Sequence, residues 1–205
     1  MSHIINALSH FWHYNKWKMF FSVFAIVLIA IAFSQCSSGV TTDIGILYVS
    51  PHKSVDSTDF VANIKKDIPF PGANSEPNII FTSVCLPSDP SEPAESGALD
   101  KMHVEFVTGD STFFIVDEET IYSYKNDGYF HDITSYADKF SVPEDARYYD
   151  DDGKTIAISA DGNSYIESGS LETDSLYIAV RAHPQKDDKD YVNTFNLLEH
   201  ILKNQ

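Results

Sequence analysis

Apolar and polar positions divide this chain into two parts at about residue 42. The longest apolar run covers residues 19–33 without a charged side chain, and extended to residue 35 it reaches the ~17 residues that a helix needs to cross a bilayer. Two lysines precede the run, and the first charge after it is Asp43. Because cytoplasmic flanks carry the excess of basic residues, the pattern predicts a transmembrane helix at 19–35, with residues 1–18 as a cytoplasmic juxtamembrane segment.

The small, polar residues 36–42 predict a short stalk outside the membrane. Two alternatives to an uncleaved anchor stay open, a cleaved signal peptide and lipidation of Cys36. Both need small residues at the processing site, whereas Gln35 stands directly before the cysteine. The uncleaved anchor is therefore the favoured interpretation.

The rest of the chain alternates between strand-like and helix-like patterns. Short apolar runs predict strands at 44–49, 78–86, 112–117, 154–159 and 175–181. Apolar residues at helical spacing predict helices at 55–66, from Asp117 to about 126, and at 190–203, with a short helical turn at 133–140. Residues 99–107 are assigned to a helix, although the alternation of Met102, Val104 and Phe106 also permits a strand. This order predicts one three-layer α/β domain over 43–205, with a largely parallel sheet.

The charge of the chain is confined to that domain. The sequence has 30 acidic and 14 basic residues, a net charge of -16. Residues 43–205 hold all 30 acidic residues against twelve basic ones, which gives this segment a charge of -18. Nucleic-acid binding through a basic face is therefore excluded as an expected function.

Motifs for catalysis or for metal binding are not evident in the sequence. The histidines lack metal-ligand spacing, and no serine stands in a nucleophile elbow. The acidic segment 150–153 does not match an EF-hand loop, because Tyr148 and Ser159 would occupy its first and twelfth positions. We therefore expect a protein that is not an enzyme and that has no metal and no cofactor.

Aromatic and arginine side chains are the candidates for ligand contacts. Tyr129, Phe130 and Tyr148 can line a pocket with rigid contact area, and Arg147 can clamp a carboxylate or a phosphate. The structural alternative is that the aromatic residues belong to the core and that the arginine forms a surface ion pair.

The segment Gly109–Thr134 resembles the bacterial extracellular solute-binding proteins of ABC transporters. In that family a Gly-Asp turn, a strand and a helix lead to a Gly-x-Phe-x-Asp-Leu-Thr segment, and Gly128-Tyr-Phe-His-Asp-Ile-Thr134 is similar to it. The closing strand and helix of the chain also resemble those of the family. The resemblance implies one lobe of a periplasmic-binding-protein fold, because about 163 residues suffice for a single lobe.

Together these features predict a single-pass protein of the bacterial cell membrane. Its outer domain would bind a small solute or a partner outside the membrane, without catalysis and without contact to nucleic acid. The alternative is a protein-interaction module of a membrane complex that has no small-molecule ligand.

Overall fold

The computed structural model describes residues 15–18, 20–29, 42–50, 55–71, 76–86, 97–109, 111–182 and 188–204, with only the backbone for 188–190. The chain forms two compact units, Met1–Thr41 and Thr42–Gln205. In the first unit, residues 15–18 and 20–29 are helical.

The structure has no membrane-spanning helix among the residues that it describes, since none of their helices combines the necessary length with the necessary apolarity. Met19 and residues 30–35 of the predicted span lie outside the described residues, as do Cys36 and nearly all of the predicted stalk.

The second unit is an α/β domain built on one sheet. In the described part of the chain the sheet has six strands in the order β2-β1-β3-β6-β5-β4. The strands are β1 (Ile44–Ser50), β2 (Ile79–Cys85), β3 (Phe113–Asp117), β4 (Arg147–Tyr149), β5 (Thr155–Ser159) and β6 (Leu176–Val180). The helices are α1 (Thr58–Asp67), α2 (Ala98–Thr108), α3 (Glu118–Tyr124), α4 (Thr134–Lys139), α5 (Ser164–Ser168) and α6 (Asp188–Lys203), with a 3-10 turn at Glu144–Ala146.

The sheet is mixed, whereas the sequence predicted a largely parallel one. Strand β1 pairs in parallel with β2 and with β3. The pairs β3–β6, β5–β6 and β4–β5 are antiparallel. Strands β1, β2, β3 and β5 therefore share one direction, and β6 and β4 run the opposite way. The physical reason is that β6 enters the sheet between β3 and β5, after the chain has already crossed to the β4 edge.

Helices cover the sheet from both sides, and each side has its own apolar core. The first core joins one face of the sheet to α1, α4, α5 and α6, with Phe60, Ile64 and Ile201 fully buried. The second core joins the other face to α2 and α3, with Phe106 and Ile121 fully buried. Side chains alternate along β1 between the two cores, as expected for a strand buried on both faces.

Residues 98–108 form a helix, which confirms the choice of helix over strand. Its buried residues are Ala98, Met102 and Phe106. Leu99 and Val107, which the sequence placed on the apolar face, are 62% and 40% exposed. The helical spacing of apolar residues was therefore predicted correctly, but the buried face of α2 is centred one residue away from the predicted apolar face.

Two short elements were not predicted, β4 and α5. Strand β4 has three residues, too few for an alternating pattern to be visible. Helix α5 has five residues and begins at Asn163, whose side-chain oxygen accepts a hydrogen bond from the Ile166 N–H at 3.2 Å. Asp117, from which the sequence predicted a helix, is the N-cap of α3, because its carboxylate accepts a hydrogen bond from the Thr120 N–H at 2.7 Å.

Candidate functional site

The structure brings three of the four predicted ligand residues to one side of the sheet. Tyr129 and Tyr148 pack against the second core, and Phe130 belongs to it and is 7% exposed. The Tyr129 ring lies edge-on to Phe106 at 6.0 Å and to Tyr124 at 5.7 Å.

Arg147 lies on the opposite side of the sheet from Tyr148. Its Nε donates to the Val142 carbonyl at 2.9 Å, and its Nη1 lies 2.7 Å from a carboxylate oxygen of Asp138. The hydrogen bond to Asp138 raises the pKa of the guanidinium. This is the ion pair that the structural alternative predicted, and it ties strand β4 to the end of α4.

Phe130 lines a cleft of about 330 Å³ between the end of α3 and the β4–β5 turn. We call it the aspartate cleft, because four of its lining residues are aspartates. Its other lining residues are two lysines, Asn126, Gly128, Ile156 and Ala182. The aspartates are Asp132, Asp150, Asp151 and Asp152, and the lysines are Lys125 and Lys154, so the formal charge of the cleft is -2.

Hydrogen bonds fix the acidic rim of this cleft. The Asp150 carboxylate accepts from the backbone N–H groups of Asp152 and Lys154, at 3.0 and 2.8 Å, which closes the turn. The Asp151 carboxylate accepts from Lys125 Nζ at 2.6 Å and from Asn126 at 2.8 Å. The Lys125 bond comes first among the contacts that lower the pKa of Asp151. The segment is therefore a turn that these hydrogen bonds hold in place, and it is not an EF-hand loop.

Asp132 is an exposed carboxylate that lines the cleft. Burial acts to raise its pKa, but hydrogen bonding to Thr134 and the positive charges of Lys154 and His131 outweigh burial and lower it. One oxygen accepts from the Thr134 N–H at 3.0 Å, at the start of α4. Asp132 is therefore ionised at neutral pH and presents a fixed negative charge to the cleft.

A second feature lies on the same side of the sheet, and we call it the tyrosine face: Tyr122 of α3, Tyr148 of β4 and Tyr177 of β6. The rings of Tyr148 and Tyr177 meet edge to face, with centroids 5.5 Å apart. They approach each other across β5, because Tyr148 pairs with Ala157 and Tyr177 pairs with Ser159. Tyr122 is 65% exposed, and the other two tyrosines are half-buried.

The two features occupy different ends of the strands. The carboxyl ends of β3 and β5 are followed by Glu118 and Asp161. The tyrosine face lies near these carboxyl ends, because Tyr177 pairs with Ser159, the last residue of β5. The aspartate cleft lies at the beginning of β5, near Lys154. In open α/β sheets ligands bind beyond the carboxyl ends of the strands, and the tyrosine face is the feature closer to that position.

Arg181 is a buried arginine for which the sequence predicted no role. It is 8% exposed, and its guanidinium donates to the backbone carbonyls of Ser111 at 2.6 Å, of Phe106 at 2.7 Å and of Glu105. Two of these carbonyls belong to the last turn of α2, where a positive charge is favourable. Arg181 therefore fastens α2 to the end of β6. Its position directly after the apolar run of β6 is a weak signal for such a role.

Among the described residues, no group of three or more His, Cys, Asp and Glu side chains is arranged to hold a metal ion. No known protein family, curated protein or solved structure matches this chain. The function has to be inferred from the geometry of the domain itself.

Proposed function

We propose that the domain at residues 43–205 is a non-catalytic binding domain, and that it takes a small polar solute in the aspartate cleft. The observation that carries this proposal is the cleft of about 330 Å³ with Phe130 and Ile156 among its lining residues and charged groups around them. Ligand sites of small molecules typically have volumes of ~300–1,000 Å³ and combine apolar walls with a few fixed polar groups.

The charge of the cleft selects among solutes. Its four aspartates outnumber its two lysines, and Asp132 is held in the ionised form. Anionic solutes are therefore disfavoured, and solutes with hydroxyl or amino groups can donate hydrogen bonds to the carboxylates.

The test is calorimetric titration of the full-length chain with sugars, amino acids, short peptides and amines, on the wild type and on the Asp132→Asn variant. Asparagine preserves the shape of the side chain and removes its charge. We expect saturable binding of one solute class and a roughly tenfold loss of affinity in Asp132→Asn, because hydrogen bonds to charged groups contribute ~1.5–3 kcal/mol.

The matched control is Asp145→Asn, which removes an exposed carboxylate from the 3-10 turn outside the cleft. Its affinity should equal that of the wild type. Binding that is equally weakened in both variants, or the absence of binding across all four classes, would overturn the proposal.

We also propose that the protein is anchored in the bacterial cell membrane by residues 19–35, with the domain outside. Large apolar side chains of the described helical residues in the first unit are exposed, among them Trp17 at 66%, Phe21 at 62% and Ile26 at 64%. Their burial in lipid would remove this area from water. Alkaline carbonate extraction of membranes tests the anchor: retention in the pellet is expected, and release into the supernatant would refute it.

The resemblance to extracellular solute-binding proteins supports the same proposal. The matching segment, Gly109–Thr134, covers β3, α3 and the loop 125–132, and five residues of that loop line the cleft. We therefore propose a single-lobe relative of that family.

A protein-interaction module is the second candidate, and one surface favours it. Leu99, Val104 and Val107 on α2 are 62%, 56% and 40% exposed. Crosslinking through a cysteine introduced at Leu99 in intact cells tests this role. A specific adduct that disappears when Val107 is changed to aspartate would support it, and a chain that captures nothing would exclude it.

A further inference from the structure

Three Asp-Gly pairs lie in exposed turns of the domain, and such pairs can undergo a reaction of the main chain. Glycine has no Cβ, so its backbone nitrogen is open to the side chain before it and can attack the aspartate carboxyl carbon to close a five-membered imide. All three glycines have a positive φ and open space at the Cβ position, so the glycines do not distinguish the pairs. The pairs are Asp127-Gly128, Asp152-Gly153 and Asp161-Gly162.

Two of the pairs have reacting groups that are already engaged. The Asp161 carboxylate accepts a hydrogen bond from the Ser175 N–H at 2.7 Å. The Gly153 N–H donates to the Asp150 carbonyl at 3.2 Å, and Lys154 Nζ lies 3.5 Å from the carboxylate that precedes this glycine. Each pair therefore has to break a hydrogen bond before the glycine nitrogen and the carboxyl carbon can meet.

The pair Asp127-Gly128 differs in both groups. Among the residues that the structure describes, neither the Asp127 carboxylate nor the Gly128 N–H has a hydrogen-bond partner. The main chain of Asp127 is held separately, because its N–H donates to the Tyr124 carbonyl at 3.1 Å. The carboxyl group can therefore turn toward the glycine nitrogen without losing a contact.

Fixed contacts lie on both sides of this pair. Lys125 Nζ and the Asn126 side-chain amide donate to the Asp151 carboxylate at 2.6 and 2.8 Å. The Tyr129 carbonyl accepts from the Ala182 N–H at 2.8 Å. An additional main-chain atom between these contacts therefore changes the path of the loop 125–132, of which Gly128 lines the aspartate cleft.

From these observations we propose that Asp127 is a modification site, at which the chain converts to isoaspartate. The Gly128 nitrogen forms a bond to Cγ of the protonated Asp127 carboxyl group, the Cγ–OH bond breaks, and the hydroxyl leaves with the amide proton as water. A water molecule then adds to the main-chain carbonyl carbon of Asp127 and breaks its bond to the Gly128 nitrogen, which takes up a proton. One water is released and one is consumed, and the main chain now runs through Cβ and Cγ.

The modification does not depend on a ligand. Its effect on the aspartate cleft rests on the proposed function, since the loop with the extra main-chain atom forms part of the wall of the cleft. Calorimetric titration of the modified chain measures that effect separately. If no solute binds even the unmodified chain, the proposed function fails and the modification at Asp127 stands.

The test is prolonged incubation of the full-length chain at neutral pH in water labelled with heavy oxygen, followed by digestion with trypsin. The basic residues place the three pairs in separate peptides, 126–139, 148–154 and 155–181. Electron-transfer fragmentation identifies isoaspartate, and the incorporated label shows that the imide was hydrolysed. We expect isoaspartate to form at Asp127 roughly tenfold faster than at Asp152 or Asp161, because a lost hydrogen bond raises the barrier at the other two pairs.

Two controls separate the fold from the local sequence. In the urea-unfolded chain the hydrogen bonds are absent, so the three rates should converge. Asp127→Glu should remove isoaspartate and label from peptide 126–139, because a glutamate would have to close a six-membered ring, which forms far more slowly. Equal rates at the three pairs of the folded chain would overturn the proposal, as would a preference for Asp127 that is just as large in urea.

Discussion

Arg181 and Arg147 are the only arginines of the chain, and the structure predicts that the loss of Arg181 destabilises the domain more than the loss of Arg147. Arg181 is 8% exposed and donates to three backbone carbonyls, and its guanidinium carbon lies 5.2 Å from the centroid of the Phe114 ring. Arg147 forms one carbonyl bond and an ion pair with Asp138, whose side chain is 63% exposed. Replacement of each by methionine keeps an unbranched apolar side chain in place of the arginine stem and removes the charge and the donors.

The magnitudes follow from these contacts. Each hydrogen bond to a charged group contributes about 1.5–3 kcal/mol, so three of them would give roughly 4.5–9 kcal/mol before the cost of burying the guanidinium is subtracted. With that cost removed, we expect Arg181→Met to lower the free energy of unfolding by about 3–5 kcal/mol. The exposed pair contributes ~0–1 kcal/mol, and with its one carbonyl bond Arg147→Met should lose about 1–2 kcal/mol.

The assay is equilibrium unfolding in urea, followed by far-UV circular dichroism, with a common slope for the wild type and both variants. Arg181→Lys provides an intermediate, because one ammonium cannot replace the planar fork of donors at three carbonyls. An Arg181→Met variant that loses no more stability than Arg147→Met would refute the reasoning. It would show that the desolvation cost of the buried guanidinium cancels its hydrogen bonds.

Three further predictions use the same unfolding measurement. A Cβ on Gly169 would lie 2.6 Å from Cβ of Phe60, so Gly169→Ala should lose about 1–3 kcal/mol through overpacking, and an unchanged midpoint would contradict this. The buried Tyr165 hydroxyl has no hydrogen-bond partner among the described residues, so Tyr165→Phe should be neutral or stabilising by up to about 1 kcal/mol, and a clear loss would reveal a partner. Lys125 lowers the pKa of Asp151 in the folded state. The wild type should therefore be more stable than Asp151→Asn above about pH 4, and this difference should disappear as the pH falls through the folded-state pKa. A difference in stability that persists at about pH 2 would refute this.

The sequence was a good guide to the strands of the sheet, because buried strands are uninterrupted apolar runs between turn residues. β1 and β3 lie within one residue of their predicted limits. The pairing of the strands was harder to predict from the sequence. Strand β6 lies between β3 and β5 and is antiparallel to both. No local pattern in residues 176–180 indicates which strands will be its neighbours.

The candidate site shows the same division between local and long-range information. Tyr148 was visible as an aromatic residue, but its partner Tyr177 is 29 positions away and reaches it only across β5. Arg147 and Tyr148 were both predicted to contact a ligand, yet adjacent residues of a strand point to opposite faces. Arg181 contacts carbonyls 70 or more positions earlier, which only the folded chain can bring together.

The carboxylates of the domain have two different roles in the structure, and the distinction bears on the class of ligand. Some carboxylates accept backbone hydrogen bonds and hold turns or helix ends, as Asp117, Asp150 and Asp161 do. Such groups explain part of the charge without any ligand. Asp132 also accepts a backbone hydrogen bond, but it lines the aspartate cleft and places a negative charge there. A domain charge of -18 also raises the local concentration of cations at its surface. The long-range field and the aspartate cleft therefore disfavour the same class of solute, anions, the first during encounter and the second in the bound complex.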